Sequence, residues 1–139
     1  MNPTLTVPLD PAVRLAIEML DQRGDLSTLW VFGSHAKGTA RSDSDLDLAA
    51  LFARPINPLE LADLAADLSV AIGRAVDLID LDRASPILAH QVLKYGRLFV
   101  DRDPARRRRF FVRHVSVYDD LKILRREAEK SLLARIRHA

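Results

Sequence analysis

The chain has 139 residues, 48% hydrophobic and 29% charged, with no cysteine and a formal net charge of +2. That is enough chain for one domain with a real core, burying roughly 65–70% of the unfolded surface. It excludes collagen-like, low-complexity and disulfide-scaffold architectures, and also thiolate metal sites and cysteine nucleophiles. No basic–apolar–small leader opens the sequence and no apolar run nears the roughly 20 residues of a membrane span, so a soluble cytoplasmic protein is expected, with no membrane partner.

The first element is a helix entered at Asp10-Pro11, striped by Val13, Ile17 and Leu20 and closed at Gly24. A cap side chain followed by proline recurs at Asn57-Pro58, Ser85-Pro86 and Asp103-Pro104, and marks three more helix starts. The cap accepts a bond from an otherwise unpaired N–H, and proline at the first helical position sacrifices nothing. Asn57 and Glu60 also have the spacing of a capping box. β-like runs follow at Leu26–Phe32, Asp45–Phe52, Ala75–Leu81 and Arg97–Val100. The second helix carries Leu61, Leu64, Ala65, Leu68 and Ile72 before Gly73, and the third runs through Ile87, Leu88, His90, Gln91 and Leu93 to Gly96. Left-handed glycines are expected to close these helices. A last helix, Asp119 to Arg137, is striped by Leu121, Leu124, Ala128, Leu132 and Ile136 and reads as a docking or dimerising element. Helices alternating with strands predict an α/β (α+β) fold, a mixed sheet flanked by helices, with a C-terminal two-helix extension. The expected division is a core over 1–101 and a basic helical extension over 102–139.

Charge is unevenly spread. Residues 102–139 hold 12 Lys+Arg and 5 Asp+Glu, a net of +7, whereas residues 1–101 hold 9 and 14, a net of −5. A basic tail on an acidic body is built to meet something negative: nucleic acid, an acidic protein face or the body itself. Arg106 to Arg109 open a helix, where cations oppose the helix dipole, so another contact must favour them.

The chemistry is concentrated between Gly33 and Leu48. An apolar strand ending at Phe32 runs directly into Gly33-Ser34 and then an expected short helix. Backbone N–H groups in such a turn cradle phosphate, and a serine hydroxyl adds a donor. Ten residues later, Asp45 and Asp47 stand two apart on a strand. Period two sends both carboxylates to one face, with Leu46 and Leu48 on the other. Paired carboxylates repel unless cations sit between them, and hard oxygen ligands suit Mg²⁺. Two such ions about 3.5–4 Å apart are a common clamp for phosphoryl or nucleotidyl displacement. Ser44 lies beside this pair, where its hydroxyl can add a hydrogen bond to a phosphate, and Lys37 and Arg41 lie in the connecting segment, either to neutralise phosphate charge or as exposed solubilising cations. Asp77 lies within the apolar Ala75–Leu81 run, where an unpaired charge is costly, while Asp80 has the opposite parity and Asp82 ends the strand.

Gly33-Ser34, ten residues, then Asp45-Leu46-Asp47 resembles the signature of the DNA polymerase β-like nucleotidyltransferase superfamily. The fuller run, with Ala36, Gly38, Ser44 and Leu48 in place, resembles its small prokaryotic branch, the minimal nucleotidyltransferases. The resemblance spans about residues 10–101 and departs at Ser42, where relatives often carry proline. It implies transfer of a nucleoside monophosphate from an NTP, with ATP as substrate. It implies that Gly33 and Ser34 hold the terminal phosphates, that Asp45 and Asp47 bind two Mg²⁺ ions, and that Asp77 is the third catalytic and metal-binding carboxylate. It further implies an antitoxin that adenylylates a tyrosine of a partner HEPN-type ribonuclease toxin. Alternatives are transfer to a small hydroxylated molecule such as an antibiotic, and neutralisation by binding alone. Nucleic acid is a secondary partner through the basic tail. Arg109 and His114 have the R-x4-H spacing of HEPN ribonucleases, but Ser116 stands where that motif needs tyrosine, so no nuclease is expected.

Overall fold

The computed structural model describes residues 10–33 and 45–137. In chain order the elements are α1 (Pro11–Asp21), β1 (Leu26–Phe32), β2 (Leu46–Phe52), α2 (Pro58–Ile72), β3 (Val76–Asp80), α3 (Pro86–Tyr95), β4 (Arg97–Asp101) and α4 (Pro104–Arg137). The short helix expected after Gly33 falls outside the described residues. The strands form a mixed sheet in the order β3-β2-β1-β4, with β2 and β3 parallel and the other neighbours antiparallel.

All four cap–proline signals start helices. Asp10 accepts from the Ala12 N–H at 2.8 Å, Asn57 from Leu59 at 2.8 Å, Ser85 from Leu88 at 3.2 Å and Asp103 from Arg106 at 3.1 Å. Glu60 accepts a hydrogen bond from Arg23 at 2.6 Å, tying α2 to the turn after α1. Asp25 completes that corner. Burial works against its charge, but hydrogen bonds and charge from Arg23 and then Arg54 outweigh it and hold the carboxyl below its ordinary range.

One sheet face packs under α1 and α2, where Val13, Leu20, Leu29, Leu48, Leu68 and Leu78 form the larger core. The other packs under α3 and the first turns of α4 through Trp30, Leu51, Leu81, Val92 and Phe110. Period two along β2 assigns these faces: Leu46, Leu48 and Ala50 lie in the first core, Ala49 and Leu51 in the second.

Two expectations change. The C-terminal extension is one continuous helix rather than two, because nothing between Pro104 and Arg137 interrupts it: the segment has no glycine and no further proline. Gly96 closes α3 with φ −73°, in extended rather than left-handed backbone, because the chain passes directly into β4. Glycine is needed there for space, since a Cβ would strike the Val92 carbonyl oxygen.

The arginine run acquires partners across the chain. Arg106 donates to the Phe52 carbonyl oxygen at 3.0 and 2.6 Å and to Asp82 at 2.7 Å. Arg107 donates to Asp101 at 2.9 Å, and Arg113 to Asp82 at 3.2 Å. These contacts with the acidic body offset the unfavourable cations at the helix start. His114 is buried between α3 and α4, its Nε2 3.4 Å from His90 Nδ1, beside the stacked rings of His90 and Tyr118. Burial, and secondarily the charge of His90, push the His114 pKa down.

Candidate active site at the Gly33–Asp47–Asp77 edge

Strand register gathers the predicted residues at one edge of the sheet. β1 and β2 are antiparallel with Phe32 opposite Asp47, so Gly33 at the end of β1 meets the start of β2. β2 and β3 are parallel with Asp47 opposite Asp77. The entry of β3 is fixed from two sides: the Val76 N–H donates to Ser69 Oγ on α2 at 2.9 Å, and the Leu46 N–H donates to the Ala75 carbonyl at 2.9 Å. Shifting that entry by one residue would turn Asp77 to the other face.

Gly33 has a φ of +70°, and a Cβ built on it would overlap the Asp47 carboxylate, whose Cγ lies only 3.2 Å from that position. Glycine here serves two purposes at once: it takes a left-handed conformation, and it leaves room for a carboxylate against the backbone. The turn after β1 and the Asp-x-Asp pair are therefore in direct contact, though Gly33 and Asp47 stand fourteen positions apart in the chain.

Alternation carries Asp45, Asp47 and Asp77 onto the face that Ala49, Leu51 and Ile79 share with α3 and α4. Leu46 and Leu48 are fully buried on the opposite face, as expected. Asp47 is half-buried, while Asp45 and Asp77 are exposed. Exposure of Asp77 corrects the inference that it lies where a charge is costly. β3 is an edge strand, and this face of its first residues is open.

The other two candidates of the Ala75–Leu81 region are committed elsewhere. Asp80 is buried, receives the Asp82 N–H at 3.1 Å and lies 4.0 Å from Arg83; burial is the chief reason its pKa is raised. Asp82 holds Arg106 and Arg113 and so fastens α4 to the body, a role the sequence reading did not assign. Ser34, Lys37, Arg41 and Ser44 lie outside the described residues. Among the described residues no three His, Asp or Glu side chains are gathered into a ready ligand cluster, so Asp45, Asp47 and Asp77 share a face and an edge rather than a formed cage. Their donors are all hard carboxylate oxygens, without thiolate or imidazole, and this set fits Mg²⁺.

The family model for polymerase beta nucleotidyltransferases matches residues 16–105, which include all of these positions. The chain belongs to that family. Within it, the chain is similar to the protein adenylyltransferase MntA of Shewanella oneidensis, 38% identical over 72 residues, which is 52% of each chain. The match thus spans about half the length of that curated relative. Two solved structures resemble the whole nucleotidyltransferase fold. One is a crystal structure of a toxin–antitoxin with AMP-PNP: TM-score 0.77, 28% identity, covering 89% of this chain and 99% of the other. The second is tri-AMPylated Shewanella oneidensis HEPN toxin in complex with MNT antitoxin: TM-score 0.72, 26% identity, covering 88% and 96%. Among the described residues of this nucleotidyltransferase no helix is long and apolar enough to cross a membrane.

Proposed function

We propose that this chain is a Mg²⁺-dependent protein adenylyltransferase that transfers AMP from ATP to a tyrosine hydroxyl of a HEPN-type ribonuclease toxin, and thereby acts as its antitoxin in the cytoplasm. The observation that carries the reading is the Asp47 carboxylate seated against Gly33 and in register with Asp77. The AMP-PNP and AMPylated-toxin complexes among its structural relatives support ATP as donor and such a toxin as acceptor.

In this reading Gly33 and Ser34 hold the terminal phosphates, with Ser44, Lys37 and Arg41 adding a hydrogen bond and positive charge. Asp45, Asp47 and Asp77 would hold the two Mg²⁺ ions. Bound there, the ions supply Lewis-acid polarisation of the α-phosphate and charge for the pyrophosphate. The acceptor oxygen forms a bond to the α-phosphorus as the bond to the bridging α–β oxygen breaks, and pyrophosphate leaves. Asp77, exposed at the edge, is the carboxylate placed to take the acceptor's proton. The catalytic part of this enzyme is residues 1–101, with 102–139 as a basic extension that joins the core through Phe110 and His114 and whose exposed Arg108 and Arg109 offer nucleic acid a secondary contact.

The test is incubation of purified chain with ATP, Mg²⁺ and a co-encoded HEPN-type toxin, followed by intact-mass and peptide mass spectrometry. AMP adducts on a toxin tyrosine, with loss of its ribonuclease activity, are expected. An unmodified toxin that is nonetheless inhibited would replace this reading with neutralisation by binding.

A further inference from the structure

β3 is reached from α2 through Gly73, Arg74 and Ala75, and each of them is held. The Gly73 N–H donates to the Ser69 carbonyl at 2.9 Å, the Arg74 guanidinium donates to Asp10 at 3.1 and 3.2 Å, and the Ala75 carbonyl accepts the Leu46 N–H at 2.9 Å. Val76, the next residue, poses a separate problem. The C=O and N–H of one trans peptide point opposite ways, so with the Ala75 carbonyl turned to β2 the Val76 N–H is turned away from it. β3 ends the sheet on that side, so among the described residues no further strand stands there to accept. Val76 is also buried, where an unpaired N–H is costly. A single hydroxyl fills the gap. Ser69 Oγ, in the last turn of α2, accepts the Val76 N–H at 2.9 Å and donates to the Ala65 carbonyl at 2.8 Å. The bond to Ala65 commits the hydroxyl proton and so fixes where the lone pairs point.

We propose that Ser69 is a positioning residue for the transfer reaction: its hydroxyl fixes where β3 enters the sheet, and hence where the Asp77 carboxylate stands relative to Asp47. Ser69 holds both ends of the 73–76 segment, Gly73 through its carbonyl and Val76 through its hydroxyl. Asp77 follows at once and pairs in register with Asp47. Asp77 is exposed, so its place is set by its backbone rather than by packing of its side chain. Ser69 itself belongs to α2, which covers the sheet face opposite the three carboxylates, and it acts on the site only through the β3 backbone. Without the hydroxyl the Val76 N–H has only water to turn to, and the entry of the edge strand loosens one residue before Asp77. The inference rests on the reading of Asp77 as a carboxylate of the reacting site.

Ser69→Ala keeps the carbonyl bond to Gly73 and removes only the hydroxyl. Its kcat for AMP transfer is expected to fall about 10–100-fold with KM for ATP within about 2-fold of wild type, because displacing one carboxylate weakens the transition state rather than the hold on the triphosphate. Ser69→Thr retains a hydroxyl able to make both bonds and is expected to recover kcat to within about 3-fold. Asp82→Ala, beyond the other end of β3, controls for stability: a similar Tm loss of about 3 °C is expected at unchanged kcat. Amide hydrogen exchange reads the strand entry without nucleotide or metal. The Val76 and Leu46 amides are expected to exchange at least about 10-fold faster in Ser69→Ala than in wild type or Ser69→Thr, with the amides of α3 unchanged. A Ser69→Ala kcat equal to that of Asp82→Ala, a Ser69→Thr as slow as Ser69→Ala, or a Leu46 amide still protected in Ser69→Ala overturns the proposal. A wild-type chain that transfers no AMP would remove the reading of the site, and exchange at Leu46 would still decide whether Ser69 fixes the entry of β3.

Discussion

Replacing Gly33 by alanine tests the geometry of the site with an internal control. Gly33 has φ +70°, and Gly73 has φ +77° with nothing within 4 Å of an added Cβ. Both alanine variants suffer the left-handed penalty of about 1–2 kcal/mol. For a chain of this size that lowers Tm by about 3–7 °C. Only Gly33→Ala also drives a methyl group into the Asp47 carboxylate, which must then swing away from the edge it shares with Asp77. Displacing a catalytic group by about 1 Å costs on the order of 100-fold in rate. Initial rates of AMP transfer, measured alongside thermal unfolding, are therefore expected to fall at least 100-fold for Gly33→Ala and to hold for Gly73→Ala at similar Tm loss. Equal transfer by the two variants would refute the claim that Gly33 makes room for a working Asp47.

Asp77→Asn is expected to leave Tm within a degree or two of wild type, because the side chain is exposed, while reducing transfer by about 10²–10⁴-fold in a rate assay. Asp82→Ala removes the shared carboxylate of Arg106 and Arg113. These pairs are partly exposed, so a loss of about 1 kcal/mol is expected, read as a Tm drop of about 3 °C and faster amide exchange in the first turns of α4. His114 has a folded pKa below its ordinary 6.5, so the unfolded chain binds more protons and stability falls as pH drops through 6.5 toward the folded value. His114→Gln is expected to flatten the Tm-versus-pH curve as pH falls below about 6.5, and an unchanged slope would remove His114 as its source.

Much of this architecture is written locally. A cap and a proline suffice to start a helix, and all four such sites do so because each supplies its own acceptor for an orphan N–H. The Asp-x-Asp pair could be read as one-faced from strand period alone. The exposure of Asp77 could not, because it depends on β3 lying at the sheet edge, and strand order is a property of the assembled fold. The arginine run looked unfavourable for the same reason: the groups that answer Arg106, Phe52 and Asp82, stand 54 and 24 residues away. The extension read as two helices because the cap at Asp103 and the stripe from Leu121 suggested separate beginnings. The deciding signal was the absence of any glycine or further proline between them. The contact between Gly33 and Asp47 has no local signature beyond a glycine ending a strand, yet it is what joins the two halves of the motif.

Nucleotidyl transfer by the Asp45–Asp47–Asp77 edge is read out with ATP labelled separately at its α- and γ-phosphates. Wild type and the Asp45→Asn, Asp47→Asn variant are each incubated with Mg²⁺ and the HEPN-type toxin, and proteins are resolved on a denaturing gel. A labelled toxin band is expected with α-labelled ATP and wild type, none with γ-labelled ATP, and none with the variant under either label. A γ-labelled band would mean phosphoryl rather than nucleotidyl transfer, and an α-labelled band of equal intensity with the variant would remove Asp45 and Asp47 from the reaction.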